Sequence, residues 1–195
     1  MASLAIAQRD AELMLRAQAG DDAGFSRLVE HYRGPLVCFL YRMVLNQAVA
    51  EELAQDVFLR VYRARGRYQV TAKFSTWLYR IATNRALNWR RDMRKERGHE
   101  SLDETRPDRT RREIPDRRLT VEQALLRRDA VEQIRRAIAA LPGKQRAALL
   151  LHKYQELEYT QIARALECSE SAVKSLLFRA YEHLRASLEI SALPC

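Results

Sequence analysis

The chain has 195 residues, enough for one or two small domains, and carries 34 Lys+Arg against 25 Asp+Glu, a formal net charge of +9. Hydrophobic residues make up 47% of it, which excludes wholesale disorder, and six Gly and five Pro are few for the turns of a β-rich fold. Ala, Leu, Arg, Glu and Gln dominate and favour helix, so the expected class is all-α. The basic balance points to a polyanionic partner without saying which.

Cys38, Cys168 and Cys195 are far apart and form no C-x-x-C pair, which argues against a structural zinc site and for a reducing compartment. Met1 to Asp10 lacks the basic start and apolar core of a signal peptide, and no apolar run approaches the ~20 residues of a membrane span. A cytoplasmic protein without membrane insertion is expected. The charge is unevenly placed. Residues 1–59 are net −3, residues 60–97 net +10 and residues 98–195 net +2.

Asp10 is positioned to cap a helix ending near Gly20, and Asp22 to cap the next, which carries Phe25, Leu28, Val29 and Tyr32 on one face. Gly34-Pro35 punctuates, and Leu36, Val37, Leu40, Met43 and Val44 resume the helical period. A helix from about Ala48 to Tyr62 buries Val49, Leu53, Val57, Phe58 and Val61, and its other face shows Glu52, Asp56 and Arg60. A loop from Ala64 to Lys73 precedes a long helix from about Phe74 to Arg94. Residues 98–120 mix six basic and six acidic residues with two prolines and sparse aliphatics such as Leu102 and Ile114. Such a segment reads as a charged linker. Helices return over about 121–140 and 143–154, followed by two shorter ones. The expected architecture is two small helical domains, 1–97 and 121–195, on a flexible tether, 98–120.

Tyr159 to Leu166 predicts a short helix with Thr160 able to cap it, and Ser169 can cap a helix from about Glu170 to Leu188. Ile162, Ala163, Leu166, Val173 and Leu177 can interlock as the core of a helix-turn-helix, Ala163 allowing a close crossing. The second helix then presents Ser171, Lys174, Ser175, Phe178 and Arg179 outward, a set suited to the major groove. An ordinary helix pair with a solvated basic face fits the same spacing. Residues 60–97 place Tyr62, Tyr68, Phe74, Trp77, Tyr79 and Trp89 among 12 cations. Cations can track phosphates and aromatic faces can stack on unpaired bases. The same residues also fit a core position for Trp77 and a solvated basic helix end at Arg90, Arg91 and Arg94. The acidic face at Glu51, Glu52, Gln55 and Asp56 is either solvated or docks a protein partner.

Three stretches in order resemble the sigma-70 family of bacterial transcription initiation factors, in its extracytoplasmic-function group. Ala50-Glu51-Glu52-Leu53-Ala54-Gln55-Asp56-Val57-Phe58 resembles region 2.2. Phe74-Ser75-Thr76-Trp77-Leu78-Tyr79-Arg80-Ile81-Ala82-Thr83-Asn84 resembles regions 2.3–2.4. Leu141-Pro142, then Thr160-Gln161-Ile162-Ala163 and the helix to Arg179-Ala180, resembles region 4. The resemblance implies a region 2 bundle and a region 4 helix-turn-helix. Glu51, Glu52, Gln55 and Asp56 would meet the β′ clamp helices of core RNA polymerase, and region 4 the β flap. The loop Arg65 to Lys73, with Arg67 and Tyr68, would form a pocket with Trp77 and Asn84 for a base flipped from the −10 element. Arg80, Arg85, Asn88, Arg90 and Arg91 would contact the neighbouring promoter DNA. Ser171, Lys174, Ser175, Phe178 and Arg179 would read the −35 element. An anti-sigma factor is implied as a further partner; no cofactor or metal is.

Lys174 stands where relatives often carry Arg, which weakens bidentate guanine recognition, and Leu176 replaces a frequent cation. A two-domain DNA-binding regulator whose first domain senses or dimerises would leave the acidic helix and aromatic loop without a task. An enzyme is disfavoured because His31, His99, His152 and His183 show no paired spacing and no Gly-rich phosphate loop exists.

Overall fold

The computed structural model describes residues 2–70, 73–97 and 121–191, and among them every regular element is helical. The expected linker, 98–120, lies outside the described residues. Helices α1 (Ala2–Gln18), α2 (Asp22–Val44), α3 (Gln47–Arg63) and α4 (Phe74–Arg97) form an N-terminal bundle, with a 3₁₀ turn at Arg65–Arg67. Helices α5 (Val121–Ala140), α6 (Gly143–Tyr154), α7 (Tyr159–Leu166) and α8 (Glu170–Ser191) form a C-terminal bundle.

Several local expectations yield to tertiary burial. Asp10 does not cap a helix; it lies inside α1, buried, and accepts a 2.5 Å hydrogen bond from the Tyr32 hydroxyl. Burial first, and then that carboxylate, hold the Tyr32 phenol above its ordinary range. The cap of α2 is Asp21 rather than Asp22, its carboxylate accepting from the amides of Ala23 at 3.0 Å and Gly24 at 3.3 Å. Gly34-Pro35 does not break the chain, for α2 runs through Pro35. Proline removes one backbone donor and crowds the preceding turn. The buried row of Leu28, Tyr32, Leu36, Phe39, Leu40 and Met43 on both sides of it outweighs that local cost. The helix ends where Leu45 adopts φ 62° and Asn46 caps α3 through Val49 N at 3.1 Å.

Expectations for the second half hold more closely. Ile162, Ala163, Leu166, Val173 and Leu177 are all buried, and Ser169 Oγ accepts from Ala172 N at 3.1 Å as the cap of α8. The cap of α7 is Glu158, not Thr160; the Gln161 side chain accepts from the Glu158 amide at 2.9 Å. Glu167, at φ 52°, closes α7 in the left-handed region.

Helix α2 passes close against α1 at Gly24. A Cβ there would lie 2.9 Å from the Leu13 carbonyl oxygen and 3.2 Å from Arg16 Cβ. The backbone oxygen cannot move cheaply, so the crowding outweighs the helix-propensity gain of alanine. Gly24→Ala is therefore expected to destabilise the fold by about 1–3 kcal/mol, read as a lower urea midpoint at unchanged slope.

Candidate nucleic-acid interface

Helix α4 has two faces. Phe74, Leu78, Ala82 and Ala86, spaced by four, are buried in the N-terminal core. Trp77, Arg80, Asn84, Asn88 and Arg91 follow each other along another face and retain partial or full exposure. The Tyr68 loop is fixed over the start of this helix. Tyr68 is buried against the rings of Trp77 at 5.5 Å and Phe74 at 6.3 Å. The Gln18 amide donates to the carbonyls of Arg65 at 2.8 Å and Tyr68 at 2.9 Å. A glutamine far upstream thus sets the loop, and no local sequence signal marks it.

Loop and helix border a cavity of about 370 Å³ lined by Arg67, Tyr68, Gln69, Thr76, Trp77 and Arg80, with Arg164 reaching in from α7. Cations beside an indole face and a buried hydroxyl can hold a base and its phosphate. Asn84 is not among the residues that line it; it lies farther along the same α4 face, half-buried. Lys73 is half-buried at the loop end. Arg65 stacks on the Tyr62 ring at 3.9 Å and donates to the Tyr62 carbonyl at 2.9 Å, so it braces the loop.

Two residues expected at different interfaces meet each other. Asp56 of α3 pairs with Arg60 at 2.9 Å and with Arg85 of α4 at 2.5 Å. Burial raises the Asp56 carboxyl, but hydrogen bonding to Arg60 and the charges of Arg85 and Arg60 hold it below the ordinary carboxylate range. Glu51, Glu52 and Gln55 on the same helix remain exposed, as does Leu59. Arg90 is half-buried beneath the start of α6 rather than displayed outward.

On α8 the second set is intact. Ser171, Lys174, Ser175, Phe178 and Arg179 are all exposed while Val173, Leu177 and Ala180 are buried, and Phe178 shows 66% of its surface. The exposed ring is flanked by a lysine and an arginine, a combination chemically suited to a DNA groove. Among the described residues no group of His, Cys, Asp and Glu could hold a metal, and no helix is long and apolar enough to cross a membrane.

A helix-turn-helix with a clean outward face, beside a second bundle bearing an arginine-lined aromatic cavity, marks the class as a DNA-binding protein. Family models match in the corresponding places: sigma-70 region 2 over residues 28–96 and sigma-70 region 4 over residues 131–184. The RNA polymerase sigma-H factor of Pseudomonas aeruginosa is 32% identical over 93% of this chain and 95% of its own. SigW of Bacillus subtilis, an extracytoplasmic-function sigma factor, is 30% identical over 89% and 93%. The chain belongs to the sigma-70 family, in its extracytoplasmic-function group, and is a promoter-recognising sigma factor. In fold it is similar to CnrH, solved with the cytosolic domain of CnrY, at TM-score 0.68, 20% identity and coverage of 94% and 99%. It is also similar to RpoE of Bartonella quintana, solved with the anti-sigma factor NepR, at TM-score 0.66, 18% identity and coverage of 85% and 97%.

The Asp56 cluster has a pH signature. A carboxyl whose native pKa lies below its unfolded value of about 3.9 stabilises the fold above that value, and the contribution fades as pH falls through the native pKa. Stability is expected to drop on acidification below about pH 4, and to drop less steeply in Asp56→Asn. Urea midpoints across the acid range check this, and parallel curves would remove the cluster from the balance.

Proposed function

We propose that the chain docks on core RNA polymerase through Glu51, Glu52, Gln55 and Asp56, and reads the −35 element with Ser171, Lys174, Ser175, Phe178 and Arg179. In this reading the cavity between the Tyr68 loop and α4 receives a base of the opened −10 strand. Arg67, Lys73 and Arg80 draw in the backbone, Tyr68 and Trp77 wall the base, and Asn84, Asn88 and Arg91 continue the track. Residues 1–97 then serve polymerase and −10 binding, 121–195 serve −35 binding, and 98–120 connects them. Arg65, Arg85 and Arg90 act by shaping this surface, since each is engaged within the fold.

The observation that carries this reading is the exposed α8 face over a fully buried helix-turn-helix core. In such units the second helix enters the major groove, where Lys or Arg donates to guanine and an aromatic edge meets a thymine methyl. The cost of flipping a −10 base is offset by stacking and hydrogen bonds in a pocket of this kind. The protein works as a non-catalytic subunit in the cytoplasm and is regulated by an anti-sigma factor, a partner of the kind seen in the complex of Bartonella quintana RpoE with the anti-sigma factor NepR. That regulator would cover the polymerase- and DNA-facing surfaces.

Transcription with purified core polymerase tests the assignments. Lys174→Ala together with Arg179→Ala should weaken holoenzyme binding to a −35-containing promoter by roughly 10- to 100-fold, with core affinity unchanged. Glu52→Arg should do the converse, lowering core affinity roughly tenfold without altering the α8 surface. Equal loss of both functions in either variant would overturn the division of labour.

A further inference from the structure

One wall of the cavity is a turn rather than a helix: Arg67 ends the 3₁₀ segment Arg65–Arg67, and Tyr68 and Gln69 follow it directly. Glycine has the widest backbone freedom of any residue, and Gly66 stands in the middle of this turn. Space around it is open, with no atom within 4 Å of where a Cβ would lie. Such a turn does not fix its own shape. Its first end is held at Tyr62, whose ring carries the Arg65 guanidinium and whose hydroxyl donates to Asp22 at 2.8 Å. Its far end is held by Gln18. The Gln18 amide donates to the carbonyls of both Arg65 and Tyr68, on either side of Gly66. The Tyr68 amide closes the turn onto the same Arg65 carbonyl at 3.1 Å.

We propose that Gln18 is a positioning residue for base selection: it sets the shape of the turn that decides which base the cavity accepts. The proposal rests on the assignment of that cavity to the −10 strand. Gln18 is not among the residues that line the cavity, so it acts through the turn. A peptide unit is planar, so a carbonyl held in place fixes the whole unit, including the next amide. Holding the Tyr68 carbonyl fixes where Gln69 begins. Holding the Arg65 carbonyl fixes the entry to Gly66 and hence to Arg67. Arg67 and Gln69 are the exposed residues that the turn brings to the cavity. The Gln69 amide offers both a donor and an acceptor to a base edge. Discrimination between bases rests on matched donors and acceptors, and these tolerate little displacement.

Gln18 is itself firmly placed. It ends α1, whose Leu13, Met14 and Ala17 are buried and whose Asp10 is tied to the Tyr32 hydroxyl. Gly20 then turns the chain at φ 94°, and Asp21 pairs with Arg16 across that turn. The clamp thus relates the cavity wall to the same core that holds α4, which supplies the opposite wall through Trp77. A glutamine suits the task because one uncharged nitrogen carries two donors and reaches two carbonyls at once.

Holoenzymes assembled from core polymerase and Gln18 variants of the full chain test this. The probes are single strands of the non-template −10 segment in which each position in turn carries each of the four bases. The reading is the affinity ratio between the preferred and the least favoured base. Gln18→Glu, which keeps the shape and loses both donors, should lower that ratio about tenfold. Gln18→Lys, whose ammonium again offers donors to the carbonyls, should recover most of it. Its added charge strengthens every strand alike and cancels in the ratio. Core affinity and binding to a −35 duplex should stay unchanged in both. With Trp89→Phe, Trp77 is the one tryptophan left, and the Tyr68 ring lies against it. Acrylamide quenching of Trp77 should rise in Gln18→Glu and fall back in Gln18→Lys. An undiminished ratio in Gln18→Glu, or a loss that Gln18→Lys does not recover, would overturn the positioning role. So would a loss of core and −35 binding in step with the ratio, which marks a general folding defect. A wild-type holoenzyme with no preference at any position overturns the site assignment instead, and the positioning role falls with it.

Discussion

Everything in this molecule depends on α4 being buried on one side and usable on the other. Phe74, Leu78, Ala82 and Ala86 anchor it against the N-terminal bundle, and the small side chains at 82 and 86 let its neighbours approach closely. Burial of a side chain such as Phe74 or Leu78 stabilises by about 1.5–3 kcal/mol, so the helix cannot rotate to suit a ligand without loss of core. The Trp77–Arg80–Asn84 face is in this sense preorganised. Its geometry is fixed by the opposite face of the same helix, and a strand that binds there meets a surface already in place.

The same constraint explains which features were legible in the sequence. The apolar period that defines the core faces of α3, α4, α7 and α8 is strong and local, and the helices appear where that period runs. Punctuation signals were less dependable. Pro35, Asp10 and Asp22 each suggest a boundary that the fold overrides, because a buried stripe extends across them or a neighbouring residue caps better. The outward set on α8 could be read from spacing alone, since a helix that buries Val173 and Leu177 must expose Lys174 and Phe178. The surroundings of the cavity could not. Gln18 and Arg164 reach it from 50 residues upstream of Tyr68 and from the other bundle, and only tertiary structure brings such partners together.

The +10 segment also changes meaning once its members are placed. Arg60 and Arg85 are spent on Asp56, Arg65 lies on Tyr62, and Arg90 is tucked under α6. Among the described residues of the segment, the other cations that remain exposed are Arg63, Arg67, Arg80, Arg91, Arg94 and Lys95. A surface of that size neutralises only a few phosphates, and each phosphate contact weakens as salt rises. On α8 the outward set contributes two cations, Lys174 and Arg179. Neither surface is charged enough to hold DNA firmly by bulk attraction at cellular ionic strength. Affinity must come from engaging both at once, where the second contact becomes effectively intramolecular. That gain exists only when the two bundles stand at the separation set by a promoter. On the proposed reading the packed arrangement of the two bundles forgoes that gain, so net charge alone does not set how firmly the protein holds DNA.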